Sequence, residues 1–264
     1  MTINQVDEIL ISIGYYKSFE NLMNEKYLNI NYGKTIGILS FDSLFEADKN
    51  YAYNGIIDNK QFQDWNEILM SKESTEEELL LVCLKIFDWG NVLTGNVKTA
   101  IDLYEQKRLK IYLQYVSKLL QLKSTIDKKD IQEQKIIWSS GWTKVYSFMN
   151  NDILIYDSRV SAFLNFTLIQ NYSELTKEQN IKFHELSSQL FNFSGAPERE
   201  RKLPSTFGFK NQHPKGVQGL NANLISSWIT QLAKEKLGLH QNIRSFEKAF
   251  FMLGFDLKQL KKVF

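Results

Sequence analysis

The sequence has little of several residue types, and each shortage excludes a class of protein. One cysteine and 3 histidines in 264 residues are too few for a disulfide framework or a structural zinc site. No apolar run approaches the roughly 18 residues that a membrane-spanning helix needs, and the N-terminal segment lacks the basic region of an export signal. We therefore expect a soluble, cytoplasmic protein that has no membrane partner, no metal ion and no cofactor.

Prolines are also few and the net charge is small, and both the prolines and the charged residues are unevenly distributed along the chain. All 3 prolines lie within residues 192–218, together with basic residues, Phe207 and Phe209. Residues 201–264 hold 11 lysines and arginines against 3 acidic residues, a net charge of +8, whereas the whole chain has +2. Such a segment is either a surface that attracts phosphates or a set of solvated helix faces. For the 192–218 loop we favour contact with a nucleic-acid strand.

Hydrophobic and aromatic residues are abundant and recur at helical spacing. They make up 43% and 13% of the chain, which is enough to build a substantial core. The periodicity predicts a mainly α fold, with at most a short β element near residues 28–45. It fits a single globular unit over 1–264 or two helical lobes of about 1–125 and 126–264. Asn221 is predicted to cap a late helix over 222–237.

One stretch, residues 138–164, carries polar residues that packing alone does not explain. Ser139, Ser140 and Gly141 predict a turn, and Lys144 follows it on a helix with an apolar face. Asp157 comes after an apolar run and is placed to cap a second helix. Taken singly, Lys144 is typical of an exposed surface lysine, and Asp157 is typical of a helix cap.

The order of these residues resembles the helix-hairpin-helix DNA glycosylases, in particular the prokaryotic 8-oxoguanine DNA glycosylase branch. Residues 143–145 (Thr-Lys-Val) match the end of the family's hairpin, and residues 156–160 (Tyr-Asp-Ser-Arg-Val) match the segment around its aspartate. The resemblance implies a two-lobed helical fold and a glycosylase with associated AP-lyase activity. Lys144 would be the nucleophile and Asp157 its partner. The implied ligand is double-stranded DNA with a damaged or modified base, bound by a monomer in DNA repair or antiviral defence.

The hairpin departs from the family pattern in two ways. It has Gly141 alone, with Trp142 at the second glycine position, and only 13 positions separate Lys144 from Asp157. We therefore expect the second helix of the hairpin to be shortened. This departure supports an alternative function, a non-catalytic module that binds DNA or a protein partner on the same fold. An unrelated all-α scaffold is a third interpretation.

Lysine and aspartate suit the implied reaction. Cleavage of an N-glycosidic bond builds positive charge on the sugar, which a carboxylate stabilises, and an amine can capture C1′ as a Schiff base. A lysine with an ordinary pKa of about 10.4 is protonated at neutral pH, so the reaction needs burial or cationic neighbours. Trp142, Tyr146 and Phe148 are the predicted sources of that burial.

Further site residues follow from the resemblance and from the basic loop. The predicted DNA contacts are Ser139, Ser140, Gly141, Trp142, Thr143, Arg159, Arg201, Lys202 and Lys210. Phe148, Trp228 and Gln231 are predicted to line a base pocket, although a tryptophan on an apolar helical stripe is also typical of a core. Oxidised guanine and a modified phage base are both open as the excised base.

Overall fold

The helices dominate the computed structural model, which describes residues 1–52, 59–92, 94–127, 131, 135–195, 198–211 and 213–260. These residues form twelve α-helices and one antiparallel pair of short strands, so the predicted mainly α fold with a short β element is confirmed. The helices are α1 Ile3–Ser12, α2 Tyr15–Met23, α3 Leu44–Lys49, α4 Asn59–Met70, α5 Glu76–Trp89, α6 Thr94–Glu105, α7 Leu109–Leu119, α8 Trp142–Met149, α9 Ser158–Leu168, α10 Lys177–Ser187, α11 Gly216–Lys236 and α12 Ile243–Leu253. The strands are β1 Tyr27–Asn31 and β2 Ile38–Phe41. Within the described ranges, no helix is both long and apolar enough to cross a membrane.

Two units of structure alternate along the chain. The first unit comprises residues 1–52, 156–213 and 225–264, and the second comprises residues 53–155 and 214–224. Helix α11 contributes to both, with residues 216–224 in the second unit and the rest in the first. Each unit is therefore assembled from segments that are distant in sequence.

Aromatic side chains of α2, α9 and α12 form the core of the first unit. Phe250 of α12 lies with its ring centroid 6.2 Å from Phe19 and 5.4 Å from Phe163. The hydroxyls of Tyr15 and Thr167 join α2 to α9 at 3.3 Å. The first half of α12 buries Ile243, Phe246 and Glu247, the spacing of one helical face, whereas residues 249–253 are all buried, so the end of the helix is enclosed on every side.

Helix α5 is the centre of the second unit and packs against α4, α6, α7 and α8. A capping box starts it. Thr75 Oγ1 accepts from the backbone N–H of Glu78 at 3.2 Å, and Glu78 Oε2 accepts from the backbone N–H of Thr75 at 2.8 Å. These reciprocal bonds satisfy two donors at the exposed helix start.

Helix α11 begins earlier than the sequence predicts, so the interpretation of Asn221 as its cap is wrong. The helix starts at Gly216, and Asn221 lies inside it. The Asn221 amide donates to Ile126 O at 2.9 Å and accepts from Ile126 N at 2.7 Å. Because Ile126 is 95 positions away, a tertiary contact explains an asparagine that local sequence assigns to a helix end.

The loop between α10 and α11 is held by hydrogen bonds at its base. Asn192 donates through its side chain to Leu203 O at 3.0 Å and accepts from Leu203 N at 3.3 Å. The Lys210 backbone bonds to Leu190 O at 2.9 Å and, through its carbonyl, to Asn192 N at 2.8 Å. The basic, proline-containing loop therefore has a defined course in its described part.

Candidate active site

The turn that leads into α8 is built around Asn96. Ser139 Oγ donates to Asn96 Oδ1 at 2.6 Å and accepts from the backbone N–H of Trp142 at 3.1 Å. A Cβ on Gly141 would lie 2.7 Å from the Asn96 side chain. Since Gly141 has a φ of −74°, which any residue adopts, its lack of a side chain is explained by this close approach.

Lys144 is buried, with only 6% of its surface exposed, so the interpretation as a surface lysine is wrong. Its Nζ donates to Ser140 O, one turn earlier, at 3.1 Å. Its aliphatic stem lies against Gly90 at the end of α5, where a Cβ would come within 2.5 Å of Lys144 Cδ. Gly90 has a φ of −72°, so the glycine is needed for space and not for its backbone conformation.

Two aromatic clusters surround the helix that carries Lys144. Trp142 packs against Phe87 and Tyr112, with ring centroids 5.4 and 5.8 Å apart. Phe148 packs against the rings of Phe62, Trp65 and Trp89. The side chains of Trp142, Phe148 and Thr143 are all buried in the second unit. We therefore assign Trp142 and Thr143 to the core and not to DNA contact, and Phe148 to the core and not to a base pocket.

Asp157 belongs to the first unit and caps α9, as its sequence position predicts. Its Oδ1 accepts from the backbone N–H groups of Arg159 and Val160 at 2.9 and 3.0 Å, and the residue is half-buried. The preceding Tyr156 is buried, and its hydroxyl accepts from Phe191 N at 3.0 Å. Contacts on both sides of Asp157 thus determine where the carboxylate lies.

Arg201 supports the start of α9 from the basic loop. It is 9% exposed, and it donates to Phe255 O at 3.1 Å and to Ser158 Oγ at 2.8 Å. Burial lowers the pKa of Arg201 to about 10, with a further contribution from the positive charge of Arg159, while Asp157 opposes the shift. Arg201 therefore positions the residue next to Asp157, and we do not retain it as a primary DNA contact.

The other predicted site residues differ in accessibility. Ser140 and Lys202 are exposed, and Arg159 is half-buried with its guanidinium 4.1 Å from the Phe251 ring centroid. Half-buried residues also include Ser139, Lys210 and Gln231. Trp228 is 2% exposed on α11 and lies in the core, as the apolar-stripe interpretation predicts. Of the three predicted base-pocket residues, only Gln231 is therefore accessible.

Sequence reasoning missed Gly90, although it lies against the central lysine. A glycine that follows a helix is ordinarily explained as a helix end, and Gly90 does follow α5. No local signal shows that Lys144 fills the space above it, because the two residues come from different helices. The close approach of Gly90 to Lys144 exists only where α5 packs against α8.

Searches against family models, curated proteins and solved structures found no match to this chain. Within the described residues, no three histidine, cysteine, aspartate or glutamate side chains are grouped as they would be around a metal ion. The chemically distinctive groups are the buried amine of Lys144 and the capped carboxylate of Asp157.

Proposed function

We propose that this protein is a DNA glycosylase with associated AP-lyase activity, in which Lys144 is the nucleophile and Asp157 the electrostatic stabiliser. The burial of Lys144 directly after a Ser-Ser-Gly turn is the observation that carries the proposal. A lysine that served only solubility would extend into water. An amine kept inside a protein is instead typical of lysines that act as nucleophiles.

Lys144 would attack C1′ of the nucleotide that carries the altered base. Removal of an amine from water disfavours its ammonium form, and the neutral form has the electron pair that attacks. As the N–C1′ bond forms, the bond from C1′ to the base breaks and the base leaves with its electron pair, to be protonated. Loss of the amine proton and opening of the sugar ring then give a Schiff base, from which elimination of the 3′ phosphate cuts the strand.

Asp157 would stabilise the positive charge that develops on the sugar. Two backbone N–H groups hold one of its oxygens, so the carboxylate does not have to be reoriented during the reaction. A charge held in place before the reaction is effective because no reorganisation opposes it in the transition state. The cap and the proposed chemical role are compatible, since the cap fixes the position of the group that would act.

Borohydride trapping on DNA tests the role of Lys144. We expect Lys144→Ala to abolish the covalent complex with substrate or abasic DNA and to change DNA affinity by no more than about threefold, because phosphate contacts dominate affinity. Lys85 is an exposed lysine of the same unit, and Lys85→Ala is the matched control that should still be trapped. A Lys144→Ala protein that is trapped like the wild type would remove Lys144 from the mechanism.

A panel of duplexes, each with one modified base, would identify the substrate. Oxidised guanine is the starting candidate for a repair enzyme, and bases that phages modify are the candidates for antiviral defence. Release of the free base from one member of the panel, with no release by Lys144→Ala, would assign the substrate. Excision of a phage-type base in preference to oxidised guanine would favour the defence role.

A non-catalytic binding module is the second candidate function, and the core positions of Phe148 and Trp228 favour it. These two aromatic residues were predicted to line a base pocket, and both are buried. A protein that binds duplex DNA, yet gives no trapped complex and no free base with any substrate in the panel, would be this module and not an enzyme.

A further inference from the structure

A basic groove of about 480 Å³ opens on the first unit, between Lys258 and the loop that joins α10 to α11. Its lining comprises Ser194, Gly195, residues 199–204 and Lys258. Four of these side chains are cationic, those of Arg199, Arg201, Lys202 and Lys258, and one is acidic, that of Glu200. The exposed Glu198 is close by in sequence but is not part of the lining. The groove itself therefore has a clear excess of positive charge.

The Arg199 guanidinium is held in a way that leaves its donors available. It lies 4.0 Å from the centroid of the Phe255 ring, and Arg159 contacts the same ring at 4.8 Å. Stacking on a ring orients the guanidinium plane but does not use its N–H groups. Within the described part of the chain, no carboxylate forms an ion pair with Arg199. An oriented guanidinium of this kind is suited to bind an oxyanion through two parallel hydrogen bonds.

The two lysines of the groove are accessible to a ligand. Lys202 is exposed. Lys258 has 63% of its side chain exposed and is 3.6 Å from Glu200, which is also partly exposed. A surface ion pair at this distance contributes little to stability. An anion can therefore displace Glu200 from Lys258 with a small loss of free energy. The walls of the groove thus offer two accessible cations beside Arg199.

We propose that this groove binds a phosphodiester group of the DNA strand. The inference rests on the proposed function and adds a phosphate site that lies outside the hairpin turn. Charge and the accessible donors favour a phosphate, and the open shape of the site suits one unit of a continuous strand. The groove is also connected to the candidate carboxylate, because Arg201 lines it and donates to Ser158, the neighbour of Asp157, at 2.8 Å.

The salt dependence of DNA binding tests the groove separately from catalysis. The full-length protein would be titrated with an unmodified duplex between 50 and 200 mM salt, comparing the wild type with an Arg199→Gln, Lys202→Gln, Lys258→Gln triple variant. One lost phosphate contact makes the slope of log K against log salt shallower by about 0.9. We expect that change, together with affinity weaker by on the order of tenfold at low salt. Lys17→Gln removes an exposed lysine elsewhere in the first unit and should leave the slope unchanged.

The possible results separate the proposal of a phosphate groove from the proposal of a glycosylase. If the wild type is trapped by borohydride and the triple variant has the wild-type slope, the groove proposal is overturned and the glycosylase stands. If the wild type binds duplex without being trapped and the triple variant has a shallower slope, the groove is supported and the glycosylase fails. No duplex binding by the wild type overturns both. Calorimetric binding of inorganic phosphate that is lost in the triple variant, with DNA affinity unchanged, identifies a free-phosphate site and overturns the DNA assignment.

Discussion

At the scale of single residues, Gly90 determines how much room Lys144 has. A methyl group there would lie 2.5 and 2.7 Å from Cδ and Cε of the lysine, closer than packed carbon atoms approach each other. The lysine stem is flexible, so a substitution at Gly90 would displace Lys144 before it disturbs either helix. This makes Gly90 a positioning residue for the proposed nucleophile.

We expect Gly90→Ala to slow borohydride trapping at least tenfold while DNA affinity stays within about threefold, because phosphate contacts are unaffected. The free energy of unfolding should fall by about 1–3 kcal/mol, the usual effect of overpacking. Gly95→Ala is the matched control, since no atom lies within 4 Å of the added methyl group, and alanine favours a helix. Trapping at the wild-type rate by Gly90→Ala would show that the close approach has no role in the chemistry.

At the scale of secondary-structure elements, the start of α9 is fixed from three directions. Asp157 caps its first turn, and Arg201 binds Ser158 from the loop. Gly254, at the end of α12, approaches so closely that a Cβ would lie 1.9 Å from Arg159 O. Three independent contacts at one helix end hold the Asp157 carboxylate in a defined place, as an electrostatic stabiliser requires.

The capping and chemical roles of Asp157 can be separated by Asp157→Asn. Asparagine caps helices about as well as aspartate, so the free energy of unfolding should change by less than about 0.5 kcal/mol, as measured by denaturant titration. Loss of the charge should slow base excision by on the order of a hundredfold or more. Asp157→Ala should slow excision as well, and it should also destabilise the protein by about 1 kcal/mol through the lost cap. Excision at the wild-type rate by Asp157→Asn would reduce Asp157 to a cap.

At the scale of the whole molecule, each of the two units is built from segments that are separated in sequence. Residues 1–52 belong with α9 and α12, which come after residues 53–155 of the second unit in sequence. Phe19 meets Phe246 and Phe250, and Tyr15 bonds to Thr167. A boundary near residue 125, one of the divisions that the sequence suggests, would separate these partners.

We therefore expect a fragment of residues 1–125 to leave its first 52 residues without a core. In amide hydrogen exchange, α1 and α2 should lose most of the protection that they have in the full chain, because α1 packs against α10 and α2 packs against α9 and α12. The full-length protein under the same conditions is the control. Protection of α1 and α2 in the fragment equal to that in the full chain would mean that residues 1–52 fold without the later segments.

Local signals in the sequence determined the helical character and many helix starts. The capping boxes at Thr75 and Thr176 and the cap at Asp157 each depend on residues within three positions. A side chain that satisfies a backbone donor so close in the chain does so in almost any tertiary context. Within residues 138–164, a turn and apolar spacing located the Lys144 helix, and the cap located the Asp157 helix.

Tertiary structure alone decided which of these residues are buried and which are accessible. Lys144 is buried where α8 packs against the glycine at the end of α5, and Asn221, which lies inside α11, pairs its amide with the backbone of Ile126. The Arg199 side chain is oriented by Phe255, from the far end of the chain. Burial is a property of segments that meet in space, and their pairing is set by the balance of packing over the whole core, which no short sequence pattern contains.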